Sequence, residues 1–202
     1  MKLHIFDGDL GVDVFEELRV SGIVSCDSET TGLDWHTEKL GLFQIYNLGV
    51  GVVLLRPTDE IPTKLITLVE DASVEKIFHH AMFDMRFLMK RWKCAPKNVS
   101  CTKIMAKLLD PDARNSLKTL LREFLSVEIN KHEQVSDWMA RDLTEEQLRY
   151  AANDVLHLAS LARVLREKLT GRDLLDLAER CFDHLPTRVE LELHGYSDVY
   201  DY

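Results

Sequence analysis

From Leu148 to Leu169 the apolar residues Leu148, Ala151, Val155, Leu158, Ala162, Leu165 and Leu169 recur at alternating steps of three and four. That is the period of a long helix with one buried face. Thr144-Glu-Glu-Gln147 stands directly before the stripe in the form of a capping box, in which two side chains each accept an otherwise orphaned backbone N–H. Such a helix must lay its stripe on a partner, and the first half of the chain supplies one. Ile23–Cys26 reads as a short buried strand running into Asp27, and Leu42–Tyr46 and Val50–Leu55 as a strand pair across Asn47-Leu48-Gly49. Glu75–Phe78 reads as a fourth strand and Lys2–Phe6 as a short edge strand. Helices are expected at 13–20, at 61–70 with Pro62 in the first turn, at 83–91, at 101–109 ending at Asp110-Pro111, and at 116–125. Strands crowd the first half and helices the second. The expectation is an α/β fold with a mixed five-stranded sheet flanked by helices and a helical C-terminal half.

The length suits one domain over residues 1–202, with its core at about 20–170 and helices plus an acidic, Tyr-rich tail over 171–202. Glu190–Tyr202 holds four acids, three tyrosines and no Lys or Arg, and reads as a frayed tail or an arm for a second copy. Monomer and homodimer both stay open. No apolar run is long enough to span a membrane, and the acidic start at Asp7 is not that of a signal peptide. Cys26, Cys94, Cys101 and Cys181 lie 68, 7 and 80 residues apart, without zinc-site or redox-motif spacing. Free thiols in the cytoplasm are the simple reading.

The net charge of −9 argues against a nucleic-acid partner, but its distribution does not. Residues 86–122 carry ten Lys or Arg against two Asp, inside an otherwise acidic chain. That stretch is either a solvated face of two helices or a surface that tracks phosphates beside an acidic metal site.

Three motifs carry the candidate chemistry. Asp27 and Glu29, two apart at the end of a buried strand, project from one face. Two such carboxylates repel each other unless a hard divalent cation reverses the sign. Gly32, just beyond, allows close backbone approach to a ligand. Asp84 lies near the start of a helix that follows His79-His80, two adjacent histidines that point apart and so do not make a paired metal site. Tyr150 and Asp154, at i and i+4, share a helix face flanking the apolar stripe.

Taken together, in this order, the four acids and the tyrosine resemble the DEDDy group of 3′–5′ exonucleases. The segments DSETTGLD (27–34) and FDMRFL (83–88) are similar to those of Werner-type and proofreading exonucleases. Residues 116–161, with Lys131-x-x-Gln134-x-Ser136-Asp137-Trp138, Leu143-Thr144 and Tyr150-Ala151-Ala152, are closer to ribonuclease D. The resemblance covers about residues 20–165. It implies a ribonuclease H-like fold and a hydrolysis of single-stranded RNA 3′ ends to nucleoside 5′-monophosphates with two divalent cations, Mg²⁺ or Mn²⁺. Asp27 would bridge both ions, Glu29 and Asp154 would complete one site, and Asp84 would assist at the other, largely through water. Tyr150 would orient the attacking water, since a phenol with its ordinary pKa of about 10 is a poor base. Thr30, Thr31, Gly32 and Leu33 would grip the terminal sugar, with His80, Phe83, Lys131, Gln134 and Trp138 also touching substrate. A DNA exonuclease, or an inactive nucleic-acid-binding module, is the alternative. The sequence departs from the pattern at His80, where the family commonly has Asn, and at Cys101, where Asp commonly precedes the Thr. Ribonuclease D adds helical domains that help hold RNA, and residues 1–202 are not expected to include them.

Overall fold

Two apolar runs form the middle of the sheet. β3 (Leu40–Asn47) and β4 (Gly51–Arg56) pair antiparallel with Ile45 opposite Val53, and both are buried along nearly their whole length. The expected turn joins them: Asn47 Oδ1 accepts the Gly49 N–H at 2.8 Å while its amide donates to Ile23 O at 3.0 Å. Gly51 has φ +97°, and a Cβ there would collide with the Lys2 carbonyl. Only glycine lets β1 (Leu3–Asp7) run parallel beside β4 at this point. On the other side β3 pairs antiparallel with β2 (Ile23–Thr30), which pairs parallel with β5 (Glu75–Phe78). A sixth strand, β6 (Val99–Cys101), completes the order β1-β4-β3-β2-β5-β6. These statements come from a computed structural model, which describes residues 2–129, 136–140, 142–196 and 199.

The mixed sheet flanked by helices is the ribonuclease H-like arrangement, but with six strands, not five. The additional strand is three residues long and sits at the edge, too short for any alternation to register, and its last residue, Cys101, is expected from sequence to begin the following helix. β2 also runs to Thr30, past the expected end at Cys26, so both acids lie within the strand and not beyond it. Antiparallel pairing with β3 extends it, Asp27 opposite Gln44 and Glu29 opposite Leu42, up to a bulge between Glu29 and Thr30.

The helices are α1 (Val12–Ser21), α2 (Thr63–Glu70), α3 (Ala81–Trp92), α4 (Thr102–Leu109), α5 (Leu117–Leu125), α6 (Glu145–Leu156), α7 (Leu158–Thr170) and α8 (Leu175–Leu193). The stripe expected to form one long helix is split at His157, which adopts φ −109° and ψ −2°. Neither proline nor glycine marks the break. The two halves pack on different partners: α6 lies over β2, β3 and β4, whereas α7 packs on α4, α5 and β5. The capping box of α6 forms as expected, with Thr144 N–H donating to Gln147 Oε1 at 2.8 Å and Gln147 N–H to Thr144 Oγ1 at 3.2 Å.

Strand register separates the two faces of the sheet. Asp27, Glu29, Gln44, Leu42 and Leu54 face α6, in a cluster with Val52, Trp138, Tyr150, Ala151 and Ala152. Cys26, Ser28, Phe43, Ile45, Val53 and Leu55 face the other way, onto the larger core that includes Met85 and Leu88 of α3. The first four residues of the expected C-terminal tail belong to α8. Its Glu192 takes two hydrogen bonds from Arg86 of α3, at 2.5 and 3.0 Å. Among the described residues no helix is long and apolar enough to cross a membrane.

Candidate active site

β2 and α6 bring three acids together. Asp27 and Glu29 project from one face of the strand, and Asp154, two turns into α6, comes down onto them. One carboxylate oxygen from each lies within 4.8 Å of the other two. Glu29 and Asp154 are each 7% exposed, so little water dilutes the repulsion. The Asp27 carboxyl is accordingly held well above the ordinary range, first by burial and then by the charges of Asp84, Asp154 and Glu29. Gln44, opposite Asp27 on β3, donates Nε2–H to Glu29 Oε1 at 3.2 Å. Sequence reading misses it, because the only local signal is a polar residue inside an apolar strand.

Tyr150 is one helical turn before Asp154 and shares a hydrogen bond with it. Burial first, then the Asp154 and Glu29 charges, push the phenol above its ordinary pKa. It keeps its proton at neutral pH. Trp138 lies under it, with ring centroids 5.8 Å apart. The indole is 2% exposed and so is not open to a ligand, as its expected substrate contact would require. Its backbone is held by Gln147 Nε2, which donates to Asp137 O at 3.0 Å, and Gly41 leaves room for it: a Cβ there would lie 2.9 Å from Trp138 Cβ.

Asp84 arrives from the opposite face. It sits in the first turn of α3, 1% exposed, outside the tight trio. Ser28, which alternates away from Asp27 and Glu29, donates its Oγ–H to Asp84 Oδ1 at 2.6 Å. Oδ2 has no hydrogen-bond partner among the described residues. Burial pushes this carboxyl up to about 7, against the lowering effect of the Ser28 hydrogen bond.

The family model described as 3′–5′ exonuclease matches residues 4–170, a span that contains all four acids and the tyrosine. The chain belongs to the 3′–5′ exonuclease family. Among curated relatives, ribonuclease D of Haemophilus influenzae is 33% identical over 149 residues, 72% of this chain and 37% of the relative. The chain thus spans less than half the length of such relatives. Among solved structures, Brucella melitensis NrnC with bound Mg²⁺ is 34% identical with a TM-score of 0.89 and is covered end to end by this chain, and this chain by it (100% of each). The same Brucella protein bound to pGG is 35% identical with a TM-score of 0.90, over 100% of this chain and 99% of that one.

The remaining expected substrate residues are unevenly placed. Thr30 ends β2 and donates Oγ1–H to Gly32 O at 2.7 Å, Thr31 bonds Glu38, and Leu33 stands 81% exposed beyond them. Gly32 is tight against its own loop: a Cβ would come within 2.9 Å of Glu38. His80 caps α3 without a side-chain bond to it and stacks on Phe83 at 6.1 Å. Though its ring reaches solvent, desolvation and the charges of Lys103, Arg86 and Lys107 push its pKa down to about 4. The departure at Cys101 has a structural answer. Its thiol donates to His79 O at 3.2 Å and Thr102 Oγ1 meets His79 Nδ1 at 2.9 Å, so β6 anchors the segment before Asp84. Lys131 and Gln134 lie outside the described residues.

The basic stretch divides. Arg86 is taken by Glu192, Lys90 Nζ donates to the Trp35 and His36 carbonyls at 2.8 and 2.6 Å, and Arg91 reaches Thr58 O at 2.6 Å. Lys103 and Lys107 of α4, like Arg86, stand close enough to His80 to lower its pKa.

Proposed function

We propose that this chain is a metal-dependent exoribonuclease that shortens single-stranded 3′ ends to nucleoside 5′-monophosphates. The observation that carries the reading is the convergence of Asp27, Glu29 and Asp154 within 4.8 Å, with a buried Asp84, one of its oxygens unbonded, whose charge acts on Asp27. An all-carboxylate donor set fits hard cations such as Mg²⁺ or Mn²⁺ and no soft metal. Asp27, Glu29 and Asp154 would hold one ion, and Asp84 would assist at a second. Two such ions stabilise the attacking and leaving oxygens of an in-line displacement at phosphorus. The Brucella protein, solved with Mg²⁺ and with pGG, supports both the metal and a nucleic-acid substrate.

The chain's own groups do the positioning. Tyr150 keeps its phenolic proton and orients the attacking water by hydrogen bond. Thr30–Leu33 receives the terminal nucleotide next to Glu29, with Leu33 against the base and the backbone near the 3′-OH. His80 stays neutral above about pH 4 and, with Lys103 and Lys107, faces the incoming phosphates. Preference for RNA over DNA rests on 2′-OH contacts in this terminal pocket. Four free cysteines, three of them buried, suit a reducing cytoplasm.

The deciding experiment is a time course on matched RNA and DNA oligonucleotides with free or phosphorylated 3′ ends, and on the dinucleotide pGG, with and without chelator. Stepwise loss from the free 3′ end, faster for RNA and abolished by chelator, is the expected result. Internal cuts, equal loss of 3′-phosphorylated strands or chelator-resistant activity would overturn it. Faster loss of DNA would overturn the RNA preference alone.

A further inference from the structure

We propose that Lys90 is a positioning residue that sets the height of the nucleotide-gripping loop above the acidic site. The inference rests on the reading that Thr30–Leu33 receives the 3′-terminal nucleotide. That segment opens the loop between β2 and β3, and most of the loop's hydrogen bonds are its own. Thr31 N–H bonds Lys39 O at 3.0 Å, Lys39 N–H bonds Thr31 Oγ1 at 2.9 Å, and Thr37 and Glu38 N–H both bond Asp34 O, at 3.1 and 2.8 Å. The loop is therefore braced largely by its own bonds. Its link to the rest of the molecule decides where Leu33 stands.

That link is narrow. On one side of it a hollow of about 660 Å³ separates Thr37, Glu38 and Lys39 from Phe87 and Arg91. On the other a hollow of about 440 Å³ separates Trp35 and His36 from Arg86 and Tyr196. Between the two the Lys90 ammonium spans the gap and caps two successive carbonyls, Trp35 O and His36 O. The Trp35 indole rests on the edge of the core, and Lys90 hydrogen-bonds the loop from outside it. Lys90 stands six residues after Asp84 on the same helix, a rise of about 9 Å. One rigid element thus carries a metal-site acid at its start and the strut for the substrate loop near its end. An ammonium suits this position because it offers three donors and no acceptor, so it can bond both carbonyls and still meet solvent.

The test is steady-state kinetics together with amide hydrogen exchange of the metal-free protein, for wild type, Lys90→Met and Lys90→Arg. Losing the strut weakens binding of the 3′ end without touching the acids. Lys90→Met should raise KM about tenfold and leave kcat within about twofold, the pattern of lost substrate binding. Exchange should quicken at Thr37 and Glu38 and stay unchanged along α3. Lys90→Arg, which keeps several donors, should return KM to within about threefold of wild type. If Lys90→Met unfolds, Lys90→Gln, too short to span the gap, stands in under the same expectations. Unchanged KM with unchanged loop exchange, or a fall in kcat at constant KM, would overturn the inference. A wild type that shortens no 3′ end would instead sink the reading of the site, and the exchange data would still judge the strut.

Discussion

On the α6 side of β2, Asp27, Glu29 and Asp154 crowd one small space. On the α3 side Asp84 lies apart, with a hydroxyl for a neighbour. Both sides are buried, so burial alone does not distinguish them. The trio holds like charges together. Gln44 donates to Glu29, but a neutral amide does not cancel that repulsion, which persists until a cation arrives. Asp84 deals with burial by holding its proton: its pKa stands near 7, and Ser28 donates a hydrogen bond to it. Both faces of the strand thus hold a proton too tightly in the metal-free protein, Asp27 through burial and the repulsion of its neighbours and Asp84 through burial, and metal loading must discharge both.

The comparison breaks most visibly at the trio. Asp27→Ala or Asp154→Ala should cut kcat by about 10³-fold or more, since each removes a direct ligand. Far-UV circular dichroism should stay unchanged, and the melting temperature without metal should not fall, because one repelling charge has gone. A variant that keeps a tenth of the rate would show that the trio is not the metal site. Next comes Tyr150→Phe, which leaves every carboxylate in place. We expect a loss of about 10² in kcat, the range for one positioned polar group, with the Mg²⁺-induced rise in melting temperature intact. Wild-type turnover in the Phe variant would remove the phenol from the reaction.

On the α3 side the nearby charges are positive: Lys103, Arg86 and Lys107 all act on His80. Lys103→Glu with Lys107→Glu should weaken binding of RNA longer than a few nucleotides about tenfold and flatten its dependence on log salt. An unchanged salt slope would make these lysines a solvated face.

Much of this site is legible in the sequence. Asp27 and Glu29 fall on one face because strand residues alternate, and Tyr150 and Asp154 on one face because helix residues four apart do. Which face meets which is not legible, because that is decided by sheet register and by α6 crossing β2. Ser28 shows the limit. The same alternation that pairs the acids sends it the other way, and its partner lies 56 residues on. Trp138 has the marks of a contact residue, an aromatic beside polar neighbours. Gly41 admits it beneath Tyr150, a fit between segments remote in sequence. β6 escapes sequence reading because three residues carry no period. The stripe through Leu158 keeps its phase across a break at His157 that only tertiary packing reveals.

A smaller effect separates the faces by pH. A carboxyl whose folded pKa lies above its unfolded one binds its proton more tightly when folded. It takes nothing from stability below the unfolded value near 3.8 and removes stability as pH climbs toward about 7. Metal-free wild type should therefore lose stability between about pH 4 and 7 relative to Asp84→Asn, which cannot ionise. At pH 7.5 the Asn variant should be more stable by on the order of 2 kcal/mol, or about 4–8 °C in melting temperature. Its response to Mg²⁺ should shrink. Parallel melting curves for the two proteins across that pH range would show that Asp84 does not titrate there.

The smallest change sharpens the contrast without touching an acid. Ser28 donates to Asp84 Oδ1 at 2.6 Å, and that bond favours the charged carboxylate. Removing it leaves burial to act unopposed, so the Asp84 pKa moves further up and the site gives up its proton less readily. Metal needs the deprotonated form. Ser28→Ala should therefore raise the Mg²⁺ concentration for half-maximal thermal shift at pH 7 by about two- to fivefold, the worth of one ordinary hydrogen bond. The deficit should close as pH rises to 8.5, where Asp84 is ionised in either protein. Ser28→Thr, which keeps the hydroxyl, should behave as wild type throughout. A deficit of the same size at both pH values would mean that Ser28 shapes the site by packing and not through the proton on Asp84. No deficit at either would mean that the α3 face needs no partner at all.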